Sequence, residues 1–333
     1  MKNKIFLTIP IMFIYFIWLG CSNNVLNNED INTSWVFVAN EGNFGASNGS
    51  ISMIDDFGRV ITIEEIGDVV QSLEVYNNKL IVLINNSHKI KLYDISKDGL
   101  GFPGIEISTD NSSPREMVIS DGKLYFSNWA TDDVKVFNLY NYVIEASIPV
   151  GDNPEGLITD GIDIWVANSG ENTVSKINIA TYNVDTINVG EGPQNLVLHN
   201  NNIYISRTYY DGVWDVFHGT TKIGPEIIIN DYNYGYGACG GSVLVYNDDV
   251  YRSFEGGIAR IENDLSLNTI SKIGDYNQSL VYHVEIINDN LWFTLTDYEN
   301  INLIKVVDST GDEIASYSVG IIPGDLAYWK RTD

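Results

Sequence analysis

Apolar and polar residues alternate with a period of two in four short runs between Pro149 and Gly190: Leu157–Thr159, Ile162–Ala167, Thr173–Ile179 and Asn183–Val189. Such alternation predicts half-buried strands. The gaps hold Asp160-Gly161, Ser169-Gly170-Glu171-Asn172 and Ala180-Thr181-Tyr182, residue types that turn a chain. The stretch therefore reads as a four-stranded antiparallel meander of roughly 40 residues, the size of one propeller blade. The pattern then restarts, Val150-Gly151-Asp152-Asn153-Pro154 being echoed by Val189-Gly190-Glu191-Gly192-Pro193.

The echo recurs to give seven copies: Trp35–Gly67, Asp68–Ser108, Thr109–Gly151, Asp152–Gly190, Glu191–Asn230, Asp231–Gly274 and Asp275–Gly320. The first copy lacks its opening strand, and an orphan strand, Asp325–Trp329, follows the seventh. Deficit and surplus match. The expected fold is all-β, a seven-bladed β-propeller of four-stranded antiparallel blades, with the C-terminal strand completing the first blade and removing exposed sheet edges. Residues 35–333 form this one domain.

Ahead of it, Lys2 and Lys4 precede an apolar run, Ile5–Leu19, too short for an ordinary spanning helix. It ends in Trp18-Leu19-Gly20-Cys21-Ser22, which resembles the lipobox of bacterial lipoproteins. That resemblance implies a signal peptide over residues 1–20 and lipidation of Cys21. The alternative is an ordinary signal peptide or anchor in which the Cys is incidental. Residues 21–34 are polar and Asn-rich, as a flexible tether would be.

The chain has 44 acidic and 19 basic residues, a formal charge of −25. Binding to phosphate backbones needs basic groups, so nucleic acid is not expected as a partner. Of the two cysteines, Cys21 and Cys239, the first is assigned to lipid, so no disulfide is expected and Cys239 reads as a packed free thiol.

In a meander of strands A to D, the D–A and B–C connections emerge on one face and the A–B and C–D turns on the other. The second set is short and bland, as in Asn77-Asn78, Asp121-Gly122 and Asp289-Asn290. The first set carries aromatic rings and amides. Its B–C loops include Asn40-Glu41-Gly42-Asn43-Phe44, Asn85-Asn86-Ser87-His88, Asn128-Trp129 and Arg207-Thr208-Tyr209-Tyr210-Asp211. Its D–A loops include Gln71, Pro114-Arg115-Glu116, Pro154-Glu155, Gln194-Asn195 and Tyr232-Asn233-Tyr234-Gly235-Tyr236. Binding is usually built on loops over a rigid scaffold, and Tyr and Trp offer broad contact at low entropic cost. The candidate ligand-binding residues are Phe44, His88, Arg115, Trp129, Tyr209, Tyr210, Tyr234, Tyr236 and Tyr298. Asn40 and Asn168, at the ends of B strands, read more readily as strand-ending hydrogen bonders than as ligand contacts.

No catalytic or metal-binding residues are assigned. His88, His199, His218 and His283 fall in different copies, none at metal-ligand spacing from another. His199 and His283 read as structural residues in or near A strands, and His218 as one near a C–D turn. There is no H-E-x-x-H or P-loop motif.

The fourth copy, with V-G-x-x-P, V-A-N-S-G and N-T-V-S-x-I, resembles the YVTN or YncE-like propeller repeat. Five stretches, Phe37–Phe44, Gly67–Ser72, Ile84–Ile90, Ser113–Arg115 and Val319–Gly324, together with the lipobox, resemble the surface lipoprotein propellers that accompany TonB-dependent transporters, closest to the BtuG-type cobalamin-binding lipoproteins. The middle of the chain, from Tyr204 to Asp275, departs most. The resemblance implies a non-enzymatic capture protein, lipid-anchored in the outer membrane at the cell surface. Its transported ligand would be a corrinoid, it would carry no cofactor of its own, and its partner would be a TonB-dependent transporter. A glycan-binding or protein-scaffolding propeller is the alternative, and a lyase or quinoprotein-type enzyme a third.

Overall fold

The computed structural model describes residues 33–232 and 241–331. The signal, most of the tether, Cys21, Tyr234, Tyr236 and Cys239 lie outside the described residues.

The strands fall into seven sheets. Blade one holds β1 (Ser34–Asn40), β2 (Gly49–Asp55) and β3 (Val60–Gly67). Blade two holds β4 (Val70–Tyr76), β5 (Lys79–Ile84), β6 (Lys89–Ser96) and a fourth strand split into β7 (Gly99–Leu100) and β8 (Ile105–Ser108). Blade three runs β9 (Pro114–Ser120), β10 (Lys123–Asn128), β11 (Asp133–Asn138), β12 (Val143–Pro149). Blade four runs β13 (Pro154–Thr159), β14 (Asp163–Asn168), β15 (Thr173–Asn178), β16 (Val184–Asn188). Blade five runs β17 (Pro193–His199), β18 (Asn202–Tyr210), β19 (Val216–Ile223), β20 (Ile227–Tyr232). Blade six runs β21 (Val243–Tyr246), β22 (Asp249–Phe254), β23 (Gly257–Ile261), β24 (Leu267–Ile273). Blade seven runs β25 (Val281–Ile287), β26 (Asn290–Thr296), β27 (Asn302–Val307), β28 (Glu313–Ser318).

The last strand, β29 (Pro323–Lys330), pairs antiparallel with β1, so blade one has the order β29-β1-β2-β3. The expected closure is thus the observed one. It extends from Ser34↔Lys330 to Asn40↔Pro323 and is backed by Trp329, whose indole N–H donates to Asn78 Oδ1 at 2.9 Å.

Burial follows strand rank. The second strands are the most apolar and the most buried: Val36, Phe37, Val38 and Ala39 in β1, Leu80–Ile84 in β5, and Ile164–Ala167 in β14. Apolar side chains from neighbouring blades interdigitate there, as Trp35, Phe37 and Met53 of blade one do with Leu73, Leu80 and Val82 of blade two. Outer strands face solvent instead, as in β16, where four of the five residues are exposed. The core is therefore a ring of inter-blade layers.

Backbone hydrogen bonds join the two sets of loops that were expected to share a face. Asn85 N–H donates to Val69 O at 2.8 Å, Trp129 N–H to Ser113 O at 3.1 Å, and Ser169 N–H to Asn153 O at 3.0 Å. Each ties a B–C loop to the D–A loop entering the same blade. Buried Asn side chains lock the same corner. Asn40 Nδ2 donates to Ser50 and Ser52 hydroxyls, and Asn168 Nδ2 to Thr173 and Ser175 hydroxyls.

Two expected positions differ. Tyr209 and Tyr210 sit in β18 rather than in a loop, because the strand is prolonged and Tyr209 stacks on its cross-strand partner Phe217, centroids 5.6 Å apart. His218 lies buried near the start of β19, away from the C–D turn, with Nδ1 3.0 Å from Thr208 Oγ1.

Candidate functional site

The innermost strands share an irregularity at their loop-bearing end. Pairing with the second strand slips in six blades: between Val70 and Ser72, Pro114 and Met117, Pro154 and Leu157, Pro193 and Leu196, Val281 and His283, and Pro323 and Asp325. A register slip of this kind frees a residue from the ladder and re-aims its side chain. The released residues include Gln71, Arg115, Glu116, Glu155, Asn195, Tyr282 and Gly324. They line a narrow axial well of about 70 Å3, together with Glu41, Gly241, Ser242, His283 and Asp325. At Gly324 the Glu41 side chain packs close to the backbone: a Cβ there would meet Glu41 Oε1 at 2.6 Å and push it aside.

At the mouth, Arg115 organises the upper tier. Its Nη2 donates to Glu155 Oε1 at 2.6 Å, its Nε to both Glu155 oxygens at 3.2 Å, and its Nη1 to Gln71 Oε1 at 2.7 Å. The guanidinium also lies 4.1 Å from the centroid of the Trp129 ring. Burial works against the Arg115 charge, but the Glu155 carboxylate outweighs it and holds the side chain protonated. Across the mouth, Tyr282 donates its hydroxyl to Glu41 Oε1 at 2.8 Å and meets Tyr298 edge to face, centroids 6.0 Å apart. Burial pushes the Glu41 carboxyl up to about 7, with Tyr282 and Arg115 opposing the shift.

The lower tier is acidic. Burial drives Glu116 well above the carboxylate range, with the charges of Asp325 and Glu155 adding to the effect. Burial and the neighbouring charges of Asp325 and Glu285 push Glu74 up to about 7. Asp325 rises to about 6 for the same reasons, burial first and Glu285 next. His283 is the imidazole among them, its Nε2 3.2 Å from Glu285 Oε2. Burial lowers it, but the Glu285 hydrogen bond and charge prevail and raise it overall.

The sequence-chosen residues sort into three groups. Arg115 and Trp129 stand together at the axial mouth, and Tyr298 reaches it through Tyr282. Tyr209 and Tyr210 line a separate cleft of about 510 Å3, between the Ser169–Asn172 loop of blade four and Glu191, Gly192 and Gln194. Phe44 stands 79 % exposed on its loop. His88 sits at a left-handed backbone position, φ 53°, where its Nδ1 accepts the Ser113 N–H at 3.1 Å and bolts two loops together. The opposite face also exposes rings, Phe57, Phe102 and Tyr140, so exposed aromatics are not confined to the loop-bearing end.

Sequence reasoning assigned no ligand role to Glu41, Glu74, Glu116, Tyr282, Glu285 or Asp325, and read His283 as structural. A signal was present. Pro114-Arg115-Glu116, Pro154-Glu155, Pro193-Gln194-Asn195 and Pro323-Gly324-Asp325 correspond across copies, and the residues after each Pro, Gln194 excepted, reach the axis.

This architecture defines the class of protein: a seven-bladed β-propeller with a polar axial well. No family model matches the chain, and no curated protein sequence does. Solved structures do. A provisionally named 6-phosphogluconolactonase from Bacteroides uniformis is similar over 89 % of this chain and all of its own, at 12 % identity and a TM-score of 0.67. Virginiamycin B lyase from Staphylococcus aureus is similar over 77 % of this chain and 87 % of its own, at 15 % identity and a TM-score of 0.60. AztD from Citrobacter koseri is similar over 90 % and 98 %, at 11 % identity and a TM-score of 0.60. At such identities the likeness is one of fold, and these neighbours differ in function.

Proposed function

We propose that the loop-bearing face captures a small organic ligand and holds it without converting it. The observation that carries this reading is the Arg115 platform. A guanidinium fixed by Glu155 and Gln71 lies against the Trp129 ring, which remains 38 % exposed. Such a stack is rigid before any ligand arrives, so little side-chain entropy is lost on binding. Tyr298, 46 % exposed, and the Tyr209–Tyr210 cleft extend an aromatic and amide-bearing surface around it. Broad flat rings flanked by amides and one cation suit a wide, mostly apolar disc edged with carboxamides. A corrinoid has that form, which agrees with the resemblance to cobalamin-binding lipoproteins. On this reading the chain is anchored through Cys21 in the outer membrane and hands its ligand to a TonB-dependent transporter.

Calorimetric titration with cyanocobalamin tests the ligand. Binding at micromolar concentration or tighter is expected, and Trp129→Ala should weaken it at least tenfold, about 1.4 kcal/mol. No heat at micromolar concentrations, with saturable binding of an oligosaccharide in the same assay, would replace the corrinoid by a glycan.

A further inference from the structure

We propose that the lower tier of the axial well is a binding site for a first-row divalent metal ion of the zinc type, with His283 Nε2 and carboxylate oxygens of Glu285 and Asp325 as its ligands. The site lies below the Arg115 platform and stands whether or not that platform binds a corrinoid.

Four observations converge. First, one ligand atom from each of the three residues lies within 4.8 Å of the other two. Donors on one zinc ion sit about 2.0–2.2 Å from it, hence at most about 4.4 Å apart, so small side-chain adjustments suffice. Second, the imidazole is already oriented. Ser242 Oγ accepts the Val284 N–H at 3.1 Å and lies 3.4 Å from His283 Nδ1. A hydroxyl there can receive the Nδ1 proton, the outer arrangement that metal-bound histidines use, so that an ion between His283 and Glu285 would displace only the proton that Nε2 shares with Glu285 Oε2. Third, the carboxylate from the next blade is fixed. Asp325 Oδ2 accepts the Leu73 N–H at 2.7 Å and Oδ1 accepts the Leu326 N–H at 2.9 Å, and each oxygen keeps a lone pair. Fourth, the charge is unbalanced. Glu41, Glu116, Glu155 and Asp325 line a well whose cationic side chains, among the described residues, are Arg115 and His283, and Arg115 is committed to Glu155. A divalent ion between Glu285 and Asp325 would offset the negative charge of both.

The donor set points to the class of ion. One imidazole with carboxylates suits zinc, manganese, iron or cobalt, whereas calcium and magnesium favour all-oxygen shells. Three protein donors leave at least one coordination position for water. His283 and Glu285 are two residues apart on β25 and so project to the same side, while Asp325 comes from β29, so the ion would stitch blade seven to the closing strand.

The test uses the full-length chain, purified in detergent, stripped with EDTA and titrated with ZnCl2 and CoCl2. One equivalent of Zn2+ should bind, Co2+ should give visible d–d bands that Zn2+ abolishes, and metal should raise Tm. His283→Ala and Glu285→Gln should each weaken binding at least tenfold, while His199→Ala, in another blade, should leave it unchanged. Glu285→Gln is isosteric and carries the test if His283→Ala fails to fold. Absence of stoichiometric binding, or binding that Glu285→Gln leaves unaltered, overturns the site.

Discussion

Glu41 shows how one side chain in the well couples protonation to folding. Its carboxyl stands at about 7 in the folded protein against an ordinary 4.5, chiefly because it is buried. Between these values the folded state holds a proton that the unfolded chain has released, so stability falls as pH rises through the window. The melting temperature should therefore be higher at pH 5 than at pH 8, and Glu41→Gln, neutral throughout, should flatten that slope. A Tyr282→Phe variant should steepen it, because the hydroxyl donated to Glu41 is a force keeping its pKa down. Thermal melts across this range decide the matter; an unchanged slope in Glu41→Gln would move the titration elsewhere in the well. None of this was visible residue by residue. Glu41, Glu116 and Asp325 each look like an ordinary turn acid in sequence, and only the ring closure brings them to one axis. Arg115 and Trp129 were legible because a cation and a ring on adjacent loops of the same copy announce themselves locally.

At the scale of the strand, what was legible was what has a period. Alternation at two marked the strands of blade four to within a few residues, and the repeat of roughly 40 residues gave the blade count. The split fourth strand of blade two and the prolonged β18 were not legible. The first is broken at Gly101-Phe102-Pro103-Gly104, and the second is held by a cross-strand stack between residues that look like loop aromatics. The register slips of the inner strands escaped as well, since a one-residue slip at a strand end leaves the hydrophobic pattern almost intact. Closure by β29 makes a prediction of its own. This strand supplies the inner edge of blade one and buries Leu326, Ala327 and Trp329 between neighbours. A chain ended after Gly320 exposes the β1 edge and opens the well, so it should lose its cooperative melt and become sensitive to protease. Trp329→Ala should keep the fold but cost about 3–5 kcal/mol, read from urea unfolding. A truncated chain that melted as sharply as the intact one would mean that the ring does not depend on its clasp.

For the molecule as a whole, the formal charge of −25 sets the terms. Two effects of salt oppose each other. Screening relieves repulsion among exposed carboxylates and favours the compact state, whereas screening of attractive pairs works against it. The pairs at the surface, such as Lys97–Asp98 and Lys272–Asp275, join side chains that are largely exposed on at least one side and contribute little. The pair that matters, Arg115–Glu155, is sheltered at the channel mouth and is screened far less. Net repulsion should therefore win. Moving from about 10 mM to about 150 mM NaCl shortens the Debye length from roughly 30 Å to roughly 8 Å, and Tm should rise, by at most about 2–4 °C for each kcal/mol recovered. Scanning calorimetry at the two salt concentrations and pH 8, where the well is most ionised, gives the sign. A Tm that fell with salt would show that attraction inside the propeller exceeds repulsion over its surface. The balance of charge would then have to be sought in the ion pairs of the blades and not in the acidic exterior.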